Sequence, residues 1–249
     1  MKKLRKRWWL LPIGMLILGI IAFIAWAEII PSPMPQALNA LLSNSQVRVS
    51  TQPWLVFEPV GQEPTTGLIF YPGGRVDPRA YAPPAHALAS EGFLVIIVPM
   101  PLNLAVLDSS RATSVIQNFP DIQSWVIGGH SLGGSMAASF AYNHPDQIKG
   151  LVLWASYPAS NNDLSGSAIK VTSIYASLDG LATPDKINAS HQLLPPDTTW
   201  VQIIGGNHAQ FGWYGAQSGD NLPMISREVQ QEQVIAATLD LLNRVEPKP

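Results

Sequence analysis

The stretch Gly128-Gly129-His130-Ser131-Leu132-Gly133-Gly134 limits the folds open to this chain more than any other feature. The run Ser124–Ile127 before it reads as a strand, and the Ala-rich run Leu132–Asn143 after it reads as a helix. A strand that turns directly into a helix puts Ser131 in a strained backbone conformation. The G-x-S-x-G spacing answers that strain, because small residues two before and two after the serine let strand and helix approach closely. Gly134, Ala137 and Ala138 extend the small surface along the helix. A serine held this way projects at the carboxyl edge of a parallel sheet, where open α/β folds bind ligands. The helix N-terminus behind it favours developing negative charge.

The rest of the body alternates in the same manner. Gln46–Thr51 and Trp54–Glu58 read as an opening strand pair. Gly67–Tyr71, Phe93–Val98, Gly150–Ala155, Lys170–Ala176 and Trp200–Ile204 read as further strands. One helix is capped by Asp77 with Pro78 at its first position and reaches about Ser90; Ser109–Asn118 forms another. A third begins at Thr183-Pro184 and reaches about Leu193, and Ser226 caps the last. Buried strands alternating with helices predict a mostly parallel central sheet flanked by helices on both faces. No break in composition divides residues 46–249, which are expected to form one domain.

Charge sets the front end apart. Lys2, Lys3, Arg5, Lys6 and Arg7 are five of the 15 basic residues, and the first acid is Glu28. From there on 10 bases face 17 acids, a net of −7, which argues against nucleic acid as a partner. Trp8–Ala27 is 20 residues without a charge. As a helix it spans about 30 Å, the thickness of a bilayer core. The basic residues should stay cytoplasmic and send the remainder outward. Trp8, Trp9 and Trp26 sit at the two ends, where indole rings favour the membrane interface. Residues 1–30 are therefore expected to be a transmembrane signal anchor that holds the domain at a membrane, outside the cytoplasm. Ala25-Trp26-Ala27 also offers an A-x-A cleavage site, so secretion after signal cleavage is the alternative. Pro31, Pro33 and Pro35 mark an extended tether over residues 31–45. The chain has no cysteine, which excludes disulfides, thiolate metal sites and a Cys nucleophile.

A serine hydroxyl is a poor nucleophile until a base takes its proton. His208, in Gly205-Gly206-Asn207-His208, follows the last strand and reaches the same sheet edge, which makes it the candidate base. His130 lies inside the elbow and reads as packing; His86, His144 and His191 lie on helices or at their ends and read as structural or solvated. The base needs an acid to hold its tautomer. Asp179, in Ser177-Leu178-Asp179-Gly180, lies just beyond a strand and fills that role. Asp185 falls in the first turn of a helix, where an acid complements the dipole. Asp163 sits in a polar loop with no strand leading into it. An oxyanion hole needs two N–H donors. One is expected from Leu132, directly after the serine, and the other from Gly73 or Gly74, where glycine lets the backbone approach a substrate. Arg75 follows them, either as a solvated charge or as an anchor for an anionic substrate group. No His/Asp cluster has metal-ligand spacing, so no metal is expected.

The chain order Ser131, Asp179, His208, with the stretches YPGGRVDPRAYAP, VIGGHSLGG, LVLWASYP and GGNHAQFG, resembles the α/β-hydrolase superfamily over about residues 46–245. Within it the chain is similar to bacterial serine hydrolases related to dienelactone hydrolases. The resemblance implies an α/β-hydrolase fold and hydrolysis through a covalent acyl-enzyme without a cofactor. It makes Ser131 the nucleophile, His208 the base and Asp179 its orienting acid. Many esterases carry a His-Gly pair at the oxyanion loop, where this chain has Tyr71-Pro72-Gly73-Gly74. Dienelactone hydrolases use Cys as nucleophile, so their specific activity is not implied here. Lipases and epoxide hydrolases often carry a lid where this chain has only the short segment Ser156–Ile169. That predicts an open pocket, lined by Tyr157, Phe211, Trp213 or Tyr214, and a small ester as substrate. An amidase, peptidase or acyltransferase would use the same triad. A non-catalytic binding module of this fold usually lacks one triad member, and none is lacking here.

Overall fold

The computed structural model describes residues 10–247; Lys2, Lys3, Arg5, Lys6, Arg7, Trp8 and Trp9 lie outside the described residues. Among the described residues there are eight strands: β1 (Val47–Ser50), β2 (Leu55–Pro59), β3 (Thr66–Tyr71), β4 (Leu94–Ile97), β5 (Ser124–His130), β6 (Gly150–Trp154), β7 (Lys170–Ala176) and β8 (Thr199–Ile203). They form one sheet in the order β1-β2-β4-β3-β5-β6-β7-β8. The opening hairpin β1–β2 is antiparallel and adds antiparallel to β4, while every pairing from β4 through β8 is parallel. The chain therefore forms an α/β-hydrolase fold, with β5 near the middle of the sheet.

Strand periodicity divides the core into two layers. Leu68 and Phe70 of β3 point to one face, where they join Val95, Val126 and Trp154. Helices α3 (Ala82–Ser90) and α7 (Arg227–Val245) cover that face with Leu88, Val234 and Leu241. Ile69 and Tyr71 point to the other face, with Ile96, Ile127 and Leu153. There α4 (Ala112–Asn118) and α5 (Leu132–Asn143) contribute Val115, Ala137 and Ala141. Both faces of the central strands are buried, which is why they read as apolar runs rather than alternating ones.

The caps act largely as the sequence predicts. The Asp77 carboxylate accepts from the Arg79 N–H, but the turn it starts is 3-10 over Pro78–Tyr81 before α3 begins. The Ser226 hydroxyl accepts from Val229 N–H at the head of α7. Thr183 precedes α6 (Pro184–Ala189) without a side-chain cap, and this helix stops short of Leu193.

The front of the domain departs from the expected tether. Helix α1 (Leu10–Glu28) is followed by extended residues and then by α2 (Pro35–Asn39). Ala37 of α2 is fully buried, and Met34 N–H donates to the Trp213 carbonyl at 2.8 Å. Prolines make this segment stiff, and here the stiffness lays it against the domain rather than holding it away. In α1 itself the apolar side chains are exposed on nearly every side, and Ala27 is buried against the domain.

Candidate active site

Strand β5 ends at His130 and α5 starts at Leu132, which leaves Ser131 to make the turn. Its backbone has φ 52° and ψ −122°. Positive φ costs an L-residue energy and persists only where the surroundings impose it. Here Ser131 N–H donates to the Trp154 carbonyl at 3.0 Å. The Ser156 hydroxyl donates to the Ser131 carbonyl at 2.6 Å. The flanking glycines are a steric requirement. A Cβ on Gly129 would lie 2.6 Å from the Tyr71 oxygen, and one on Gly134 2.6 Å from the Gly129 oxygen. A Cβ on Gly133 would run into the carbonyls of Tyr71 and Pro72.

Asp179 and His208 lie just beyond the carboxyl ends of the neighbouring strands β7 and β8. His208 Nδ1 and Asp179 Oδ2 are 2.8 Å apart, with both side chains fully buried. Asp179 Oδ1 accepts from the Leu181 and Ala182 N–H groups at 2.8 and 2.7 Å. A carboxylate held by three donors fixes the proton on His208 Nδ1 and leaves the lone pair on Nε2. That Nε2 is buried and has no hydrogen-bond partner, so Ser131 is not bonded to it in this structure. Asp185 sits on α6, and Asp163 is exposed and accepts from Ser165 N–H.

Asp220 braces the same pair. Its Oδ1 accepts from His208 N–H at 3.2 Å and Gly180 N–H at 3.1 Å, and its Oδ2 accepts from Ala209 N–H at 2.8 Å. One carboxylate thus ties the Asp179 loop to the His208 loop. Sequence reasoning missed it; its place in a Gly-Asp-Asn turn, where Asp commonly bonds backbone N–H groups, is its only signal.

His130 is fully buried, and its ring centre lies 4.4 Å from that of His208. Burial, and next the repulsion of His208, hold its pKa well below the ordinary value, so it stays neutral. Burial also pushes the Tyr81 phenol far up and keeps it protonated. The Tyr81 oxygen accepts from Gly73 N–H at 3.0 Å and lies 2.9 Å from His130 Nδ1. A protonated phenol that already accepts from Gly73 donates its proton to His130, which places the His130 proton on Nε2.

Residues 67–232 match the alpha/beta hydrolase family. The chain belongs to that family. Among curated proteins it is 32% identical over 95 residues to a protein of Mycobacterium phage D29, provisionally named a non-heme haloperoxidase. That match covers 34% of this chain and 34% of the relative, so the chain spans about a third of the relative's length. Among solved structures it is similar to the predicted CIB-like hydrolase of Thermoplasma acidophilum. The TM-score is 0.54 at 16% identity, over 80% of this chain and 98% of that one. It is also similar to the esterase domain of a Rhodothermus marinus protein, with TM-score 0.52 at 12% identity, over 62% and 83%. None of these three is a dienelactone hydrolase by name.

Two clefts of this hydrolase meet at Ser131 and Leu132. The smaller, about 310 Å³, is lined by Tyr157, Ser135, Ser156 and Leu181. The larger, about 680 Å³, runs past Gly74 and Leu104 to Trp26, Ile29 and Ile30. No lid element occupies residues 155–169. The pocket is nevertheless not simply open, because the end of α1 and the residues after it supply a wall.

Phe211 and Trp213 sit away from the expected pocket, and Gly73 and Arg75 have partners within the protein. Phe211 is fully buried and stacks on His130, because residues 209–211 form a 3-10 turn that drives its ring inward. It lines neither cleft, and neither does Trp213; Tyr214 lines the larger one. Gly73 gives its N–H to Tyr81, and a Cβ there would lie 2.6 Å from His130 Nδ1. Gly74 abuts Leu132, where an added Cβ would stand 3.0 Å from Leu132 Cδ2. Neither Gly74 nor Leu132 donates its N–H to another group among the described residues. Arg75 is half-buried and lines the larger cleft, with its guanidinium engaged on the side of α1. It lies 4.3 Å from the Trp26 ring centre and donates to the Ile29 carbonyl at 2.8 Å.

Proposed function

We propose that this hydrolase cleaves an ester through an acyl-enzyme, with Ser131 as nucleophile, His208 as base and Asp179 as the acid that orients it. The observation that carries the reading is the backbone of Ser131. It is held at φ 52° between β5 and α5, at the same sheet edge that carries the buried His208–Asp179 pair. His208 Nε2 takes the Ser131 proton as Oγ attacks the ester carbonyl carbon. The oxyanion forms against the N–H groups of Leu132 and Gly74. When the intermediate collapses, the carbonyl carbon–oxygen bond to the alcohol breaks, and His208 returns its proton to the departing oxygen. Water then attacks the acyl-enzyme with His208 again as base, releasing the acid and Ser131. The two clefts meeting at Ser131 suit the acyl and alcohol parts of one ester.

The same reading places the chain at a membrane. Helix α1 is 19 residues long, about the thickness of a bilayer core, and its side chains have almost no protein partners. The basic residues before it favour the cytoplasmic side, which puts the catalytic domain outside the cytoplasm.

The test is covalent labelling of the full chain in detergent with a serine-directed fluorophosphonate, mapped by mass spectrometry. A single adduct on Ser131, absent from the Ser131→Ala protein, is expected. A folded chain that takes no adduct there, or a Ser131→Ala protein that keeps full esterase activity, sinks the reading.

A further inference from the structure

The end of α1 does more than attach the domain, because it is built into the cleft that reaches Ser131. Trp26, Ile29 and Ile30 share one cavity with Leu104, Gly74 and Ser131. This wall is fastened rather than leaning. Ala27 is fully buried, and its carbonyl accepts from Asn103 Nδ2 at 3.4 Å. The Ile29 carbonyl accepts from Arg75, whose guanidinium also lies over the Trp26 ring. Arg75 itself follows Gly74, so the wall and the Gly74 N–H are set by adjacent residues. Beyond the wall, α1 leaves the domain with Ile24, Phe23, Ile21 and Ile20 exposed. Val106 and Leu107, in the segment just after Leu104, are exposed as well. Apolar side chains therefore continue from the Trp26–Ile29 side of the cavity onto the outside of α1. The opposite side of that cavity carries Arg75, Tyr214, Gln217 and Ser218, whereas the smaller cleft has no counterpart of the Ile29–Ile30 wall and is lined by Ser135, Ser156 and Tyr157 beside Leu181 and Ala182.

We infer that the substrate is an ester carrying a long alkyl acyl chain and residing in the bilayer that α1 enters. Its chain lies between Ser131 and Ile29–Ile30, and its alcohol part lies toward Ser135 and Tyr157. This rests on the serine-ester reading above. The reaction is the same: water is the co-reactant, the acyl carbon–oxygen bond breaks, and a long-chain acid and an alcohol leave. A chain drawn from the membrane can follow the side of the cavity formed by Ile29, Ile30 and Leu104 to the serine, and that apolar contact is the physical advantage of placing the cleft mouth at the helix end.

The test uses the full chain in phosphatidylcholine vesicles with p-nitrophenyl acetate and p-nitrophenyl dodecanoate. Two variants alter the wall: Ile29→Ser/Ile30→Ser makes it polar, and Ile30→Trp fills the cavity. In each, the ratio of kcat/KM for the dodecanoyl over the acetyl ester is expected to fall at least about tenfold. Smaller changes in both overturn the inference. An arm on the wild-type chain is independent of how the variants fold. A fluorophosphonate with a dodecyl chain should label Ser131 in vesicles at least about tenfold faster than one with a methyl chain; a smaller difference overturns the inference. If acetate cleavage is lost in Ser131→Ala while chain length has no effect, the membrane-ester inference fails and the serine-hydrolase reading stands. If neither ester is cleaved in a Ser131-dependent way, both fall.

Discussion

The Tyr81 hydroxyl and the His130 ring, 49 residues apart in sequence, meet at 2.9 Å in the buried space behind the elbow. The same hydroxyl accepts the Gly73 N–H. One phenol thereby links the loop after β3 to the histidine next to Ser131. Tyr81→Phe removes the hydroxyl and strands a buried N–H, which costs about 1–3 kcal/mol. Calorimetry should show the domain melting lower by roughly 2–12 °C, given about 2–4 °C per kcal/mol for a domain of this size. An unchanged melt would mean that Gly73 finds another acceptor.

His130 also sets a pH dependence. Its folded pKa is depressed by burial and by His208, so the unfolded chain protonates at a pH where the folded chain does not. Above about pH 6.5 both states hold it neutral and it gives no slope. Below that, stability falls with pH by up to about 1.4 kcal/mol per unit from this one group. Urea melts between about pH 5 and 7.5 should show the His130→Gln protein losing about one proton's worth of that slope. Equal slopes in the two proteins would remove His130 from the account.

Asp220 touches neither cleft, yet its carboxylate holds the backbone at Gly180, His208 and Ala209. A misplacement near 1 Å can cost about 10²-fold in rate. Asp220→Ala should lower kcat about 10- to 100-fold, with KM changed less than about threefold. Asp220→Asn keeps Oδ1 as an acceptor and should recover part of the loss. Hydrogen exchange at the His208 and Ala209 amides should quicken in the Ala protein. A change confined to KM would instead make Asp220 part of substrate binding.

Gly133→Ala tests the elbow. The added methyl meets the Tyr71 and Pro72 carbonyls, which are backbone and cannot swing aside. Overpacking of this kind costs about 1–3 kcal/mol or more. A chemical denaturation midpoint equal to the wild type would show that α5 can lift from β3.

Much of this architecture could be read from residue order. Strands β5 and β7 and helix α5 lie where apolar runs and small residues put them, because burial on both faces leaves a local mark. Asp179 and His208 were legible as a pair because each closely follows a strand that reaches one edge. Asp220 and Tyr81 were not, since their partners are backbone groups brought close only by the completed sheet. Phe211 misled for the opposite reason. An aromatic residue shortly after His208 looks like pocket lining, but a 3-10 turn decides its direction. The cleft wall at Trp26, Ile29 and Ile30 was hidden because an apolar run already had a sufficient explanation in the bilayer.

The fastening of Arg75 to Trp26 and Ile29 bears on what counts as the complete molecule. A chain severed after Ala27, by a processing peptidase or for ease of purification, keeps Ser131, Asp179 and His208 untouched. It loses the indole over Arg75 and frees the strand of backbone that closes the larger cleft. Whole and trimmed forms would then share one mechanism while differing in diet.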